Sequence, residues 1–142
     1  MAGYSATPLQ RKLGIGENST LALLRAPIGV LGELPPGVRT KTQARGRADV
    51  VVSFFTARRQ LEQSLDSLGP MIFPEGGLWI AWPKRTSGVE TDLSDNVIRD
   101  VVLPLGLVDN KVCAINATWS GLRFVWRRDR RGDRMSEPAG SE

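Results

Sequence analysis

With 142 residues, 41% of them hydrophobic and 24% charged, the chain has the size and composition of one globular domain and no room for a second. The absence of histidine excludes every Ser/His/Asp, Cys/His and His-ligated metal mechanism for the chain acting alone, and a lone cysteine, Cys113, excludes an intrachain disulfide and a cysteine-built zinc site. The net charge of +4 is unevenly spread: seven basic residues face two acidic ones from Arg25 to Arg59, whereas four face eight from Gln60 to Leu122, a pattern of solvated basic and acidic sides rather than a dense nucleic-acid patch.

Residues Met1 to Pro8 lack the basic-then-apolar pattern of a secretory signal, and no apolar run approaches the roughly 18 residues of a membrane span, so a cytoplasmic location and no membrane partner are expected. Pro8 to Leu13 predicts a short helix that Gly14-Ile-Gly16 breaks. Thr20 to Arg25 is nearly continuous in apolar residues, as a strand buried on both faces requires. Ala26 to Leu34 reads as a loop followed by two helical turns, closed by Pro35-Pro-Gly37. Val38 to Gln43 alternates Val38, Thr40 and Thr42 with Arg39, Lys41 and Gln43, the pattern of an exposed edge strand.

Ala48 to Phe55 is β-branched and aromatic and too apolar for an edge, which places it centrally. Thr56 is positioned to cap a helix carrying Leu61, Leu65 and Leu68, which Gly69-Pro70 should stop. Leu78 to Trp82 predicts another buried strand, ended by Pro83, and Pro83 to Asp92 is the longest polar connection in the body of the chain. Ser94 or Asp92 can cap the next helix, where Val97, Val101, Ile98 and Val102 form an apolar stripe opposite an Asp95 and Arg99 pair, with Pro104 and Gly106 at its end. Lys111 to Asn116 and Leu122 to Trp126 read as a hairpin around a five-residue loop, Ala117 to Gly121. The domain therefore spans residues 1–127, its first 18 an arm, and residues 128–142 read as a disordered, solubilising tail with a net charge of only +1 over the last sixteen residues.

Alternating strands and helices predict an α/β fold, a Rossmann-like, mostly parallel six-stranded sheet with helices on both faces. Right-handed crossovers give the strand order 2-1-3-4-6-5, the last strand antiparallel because a tight hairpin joins it to the fifth. This layout, with the Leu13-Gly-Ile-Gly16 lead into the first strand, Ala48-Asp-Val-Val-Val52 in the centre and Phe73-Pro-Glu-Gly-Gly-Leu-Trp-Ile80, resembles the class I S-adenosylmethionine-dependent methyltransferase sheet with one strand-helix unit missing. A second resemblance rests on Gly3 to Leu9, Trp79-Ile-Ala-Trp-Pro-Lys84, Gly88 to Leu93, Leu103 to Ala114 and Thr118-Trp-Ser-Gly-Leu-Arg-Phe124. In these residues the chain resembles the bacterial family catalogued as domain of unknown function 3052, which implies a bacterial cytoplasmic protein and no particular activity.

Ligands of such sheets bind outside the carboxyl ends of the strands. Here that edge comprises Arg25 to Gly32, Gln43 to Gly46, Thr56 to Arg58 and Pro83 to Asp92, with the hairpin tip, Asn116 to Gly121, on the same side. A nucleotide-type cofactor needs close-packed glycines after the first strand and an acid after the second. The sequence has Arg25-Ala-Pro-Ile-Gly-Val-Leu-Gly32 and Thr42-Gln-Ala-Arg-Gly46 instead, so no cofactor is assigned, and no metal either. A phosphate loop and a nucleophile elbow are also missing.

What stays is a polar cluster of Lys84, Ser87, Asp92, Asn116 and Thr118 with Trp82 and Trp119 nearby. Lys84 could hold an anion, Asp92 orient it or act as a base, and the indoles form an apolar wall. The competing reading makes Asp92 a helix cap, Lys84 a solvated side chain and both tryptophans packing residues. Cys113 reads as a buried small residue rather than a nucleophile. The preferred function is a non-catalytic binding or interaction module on a degenerate methyltransferase-like fold, with a protein or a small ligand as partner. The alternatives are an enzyme acting on a small anionic or nucleotide-like substrate at the loop after the fourth strand, and weak nucleic-acid binding through the basic first half, which lacks the interleaved aromatics of such surfaces.

Overall fold

Five consecutive buried residues, Val50 to Phe54, form the strand around which the sheet is built. A run with no polar face fits only where both faces of a sheet are covered. In the computed structural model, which describes residues 8–131, this strand is β3 (Val50–Phe54), flanked by parallel neighbours β1 (Thr20–Leu24) and β4 (Gly77–Pro83). The short, exposed β2 (Arg39–Lys41) lies outside β1, and β6 (Trp119–Trp126) pairs antiparallel with both β4 and the outer strand β5 (Leu107–Ala114). The order β2-β1-β3-β4-β6-β5 is the one expected, with β6 the antiparallel member.

The pleat sends alternate side chains to two cores. On one face α2 (Arg58–Met71) and α3 (Asp95–Val102) bury Leu61, Leu65, Ile98 and Val102 against Val51, Leu78, Ile80 and Phe124. On the other, the arm containing α1 (Leu9–Lys12) lays Leu13 and Ile15 over Leu21, Val52 and Trp79. The Trp79 Nε1–H donates to the Leu13 carbonyl at 2.9 Å, tying the arm to the centre of the sheet. Each fully buried side chain of this size contributes about 1.5–3 kcal/mol, so the arm is part of the folded core.

Three elements differ from the sequence expectation. The two helical turns anticipated before Leu34 are a series of turns instead, because Gly29 and Gly32 take left-handed φ of 70° and 66° and a right-handed helix cannot pass through them. The helix expected to stop at Gly69-Pro70 runs on to Met71. Its last turn is held by tertiary contacts, Leu68 and Met71 being buried and the Trp126 indole donating to the Gly69 carbonyl at 3.0 Å. The hairpin tip is shorter than expected, residues 115–118, because Trp119 already belongs to β6.

The expected disordered tail begins at Arg128, but residues 128–131 form a helical turn, with Arg131 Nε donating to the Trp126 carbonyl at 2.9 Å. The rest of that segment, and the first seven residues of the arm, lie outside the described residues. Among the described residues no helix is long and apolar enough to cross a membrane.

Candidate functional site

The carboxyl ends of β1, β3 and β4 meet the hairpin tip at one edge of the sheet. Pro83 pairs with Trp119, and the Lys84 N–H donates to the Thr118 carbonyl at 2.7 Å, so loop 83–92 and the tip are neighbours. The polar side chains singled out from the sequence are mostly engaged in holding this edge together. Ser87 Oγ donates to the Lys84 carbonyl at 2.7 Å and accepts from the Val89 N–H at 3.1 Å. Asn116 Oδ1 accepts from the N–H groups of Thr118 and Trp119, both at 2.9 Å, which shapes the tip.

Asp92 does cap a helix, but not the one that follows it. Its Oδ1 accepts from the Arg58 N–H at 2.8 Å, at the start of α2, while Ser94 accepts from Val97 N–H to cap α3. Thr56, expected to cap α2, yields that place to Ala57, and Gln60 Oε1 accepts from the N–H groups of both. Thr91 Oγ1 donates to the Thr56 carbonyl at 2.6 Å, so the end of loop 83–92 is pinned across the end of β3.

The two indoles do not share a wall. Register pairs Trp82 with Ser120 and Pro83 with Trp119, and paired residues project to one face, so Trp82 packs toward α2 and α3 while Trp119 lies edge-on to Phe54 in the opposite core, ring centroids 5.1 Å apart. Lys84 is half-buried, and its Nζ has no hydrogen bond or ion pair among the described residues.

The end of β1 is closed by Arg25, whose φ of 58° is left-handed. Its Nε donates to the Phe54 carbonyl at 3.1 Å and its guanidinium lies 5.5 Å from the Phe55 ring centroid, so the side chain spans the end of β3. Gly29 and Gly32 both take left-handed φ but are three residues apart, with Pro27 before them, so the turn is not the tight Gly-x-Gly of a nucleotide site. After β2, Lys41 Nζ donates to the carbonyls of Arg45 and Arg47 at 2.8 and 2.9 Å, and no carboxylate occurs from Thr42 to Arg47. An S-adenosyl nucleoside would find no Gly-x-Gly turn after β1 and no carboxylate for its ribose after β2, so these residues do not fit that cofactor.

A concavity of about 300 Å³ lies on the α2 side of the same edge, lined by Arg25, Thr42, Ser53, Gln63, Ser64 and Ser67 among others. Ser53 is 1% exposed, the one buried polar side chain among the described residues, and its hydroxyl has no hydrogen-bond partner among them. Sequence reasoning passed over it, although a serine inside Val-Val-Val-Ser-Phe-Phe was a visible signal. A larger hollow of about 510 Å³ opens at the opposite edge beside Arg39, Arg47, Asp49 and Glu75. Cys113 is half-buried in β5; burial pushes its thiol up, partly opposed by the Lys12 and Lys111 charges. No group of three or more acidic or cysteine side chains among the described residues is placed to hold a metal.

No family model and no curated protein matches the chain, so the resemblance to domain of unknown function 3052 has no matching family model behind it. Solved structures do match. A SAM-dependent methyltransferase from Aquifex aeolicus superposes with a TM-score of 0.54 at 12% identity, covering 82% of this chain and 86% of that one. Magnesium protoporphyrin IX methyltransferase (ChlM) from Synechocystis PCC 6803 with bound SAH gives 0.54 at 10% identity over 84% of this chain and 78% of that one. TrmN from Thermus thermophilus gives 0.56 at 9% identity over 84% of this chain but 47% of that one. At such identities the likeness is one of fold, and the fold of this chain is a methyltransferase-like Rossmann fold.

Proposed function

We propose that the chain is a small-ligand-binding module, bacterial and cytoplasmic, that uses the methyltransferase-like sheet without transferring methyl groups. The observation that carries this reading is Arg25. It occupies the turn where a methyl donor requires glycine backbone, and its side chain bridges to the end of β3 at 3.1 Å. The absence of a carboxylate after β2 supports the same conclusion, because the ribose hydroxyls then have no charged acceptor. The engagement of Ser87, Asp92 and Asn116 in turns and caps argues against an enzyme centred on loop 83–92.

Isothermal calorimetry of the full chain with S-adenosylmethionine and S-adenosylhomocysteine tests the reading. No saturable heat is expected with either compound. Micromolar binding of either one, or methylation of any acceptor by the purified protein, would overturn it.

A further inference from the structure

From the concavity beneath Arg25 we infer that the module's ligand is a small oxyanion, a carboxylate or phosphate, held between the end of β3 and α2. The inference rests on the binding-module reading and gives it a place and a chemistry. The volume of about 300 Å³ falls at the small end of ligand cavities. At its floor is Ser53, 1% exposed, whose hydroxyl has no partner among the described residues. A buried donor left unpaired destabilises the strand that carries it, and alanine would fit the same apolar run without that penalty. A ligand oxygen would supply the missing acceptor.

The rest of the lining has the matching chemistry. Arg25 Nε is committed to the Phe54 carbonyl, while its two terminal nitrogens have no hydrogen bond or ion pair among the described residues and retain donors for a bidentate contact. Ser64 and Ser67, one turn apart on α2, bring two more hydroxyls, and Thr42 a third from the β2 side. None of the lining residues is acidic, and the one charge among them is positive. Hydroxyls and the Gln63 amide around a single cation, with no carboxylate among them, suit an anionic group rich in acceptors, which describes a carboxylate or phosphate. The left-handed φ of 58° at Arg25 is a costly conformation for a side chain of this size; Arg25 lines the concavity, with its guanidinium 5.5 Å from the Phe55 ring centroid.

The test uses the full chain, with amide chemical shifts and thermal unfolding followed during titration with inorganic phosphate and, separately, acetate, at constant ionic strength. Saturable shifts at the amides of Ser53, Ser64 and Ser67 are expected with at least one anion, and the two arms identify which oxyanion is bound. Ser53→Ala should unfold at higher temperature without ligand and yet bind about tenfold more weakly, and Arg25→Gln should weaken binding by about tenfold or more. Lys84→Gln should bind as the parent does. Absence of a saturable response to both anions, an equal response in Ser53→Ala and Arg25→Gln, or loss of the response in Lys84→Gln would overturn the assignment. Methyl-donor binding in calorimetry would instead overturn the binding-module reading, so the two failures are distinguishable.

Discussion

Asp92 illustrates how a residue's role depends on what it touches. On a long polar loop at the ligand edge it had the credentials of a general base, yet its carboxylate caps α2 at 2.8 Å from the Arg58 N–H. Asp92→Ala should therefore lower stability by about 1 kcal/mol, with Asp92→Asn retaining most of it, as read by thermal or denaturant unfolding. An unchanged midpoint in the alanine variant would remove the capping role. Cys113 supports the opposite kind of statement, because its environment acts on its proton. Desolvation holds the thiol above its ordinary range, with Lys12 and Lys111 pulling the other way. The thiolate is the reactive form, so alkylation by iodoacetamide at neutral pH should be slower than for a free cysteine and should accelerate only at higher pH. The folded state keeps this proton to higher pH than the unfolded one, so the associated stability is fully present below the ordinary thiol value and is lost as pH rises from there through the raised one. The sequence showed Asp92 as a cap but not of which helix, since its partner lies 34 residues away, and it showed Cys113 as buried but not the charges of Lys12 and Lys111 acting on it.

At the scale of elements, local pattern and tertiary contact each decided part of the outcome. β1, β3, β4 and α3 follow from apolar runs and periodic stripes, because those patterns report burial directly. The segment before Leu34 did not follow its apolar content, since two left-handed glycines outweigh it. α2 passes Pro70 because buried Leu68 and Met71 and the Trp126 indole hold its last turn. The arm is held by its buried Leu13 and Ile15 and by one such contact to the centre of the sheet. Trp79→Phe removes the 2.9 Å bond to the Leu13 carbonyl and part of the indole's bulk, leaving that buried acceptor unpaired beside a void. A loss of about 1–3 kcal/mol is expected, together with faster amide exchange at Leu13 and Ile15 and little change in α3. Exchange that accelerates equally throughout would show that the arm does not open as a separate unit.

At the scale of the whole molecule, the strand order was legible because few wirings join these elements. Right-handed crossovers place β1, β3 and β4 side by side, and a tight hairpin allows β5 and β6 only antiparallel pairing. A methyltransferase-like sheet does not by itself specify chemistry, since chemistry resides in the turns at its edge. Those turns were readable as deficient, because the missing glycine pattern and carboxylate are matters of residue identity. The polar cluster was only half readable. Loop 83–92 and the hairpin tip do adjoin, but the pleat sends Trp82 and Trp119 to opposite cores. Composition and periodicity thus determined the excluded mechanisms, the buried strands and the sheet order, all of which depend on residue type and local repeat. Tertiary structure alone decided which polar groups serve as struts and left Ser53 without a partner among the described residues in the concavity it shares with Arg25, because hydrogen-bond partners are chosen by distances between segments far apart in the chain.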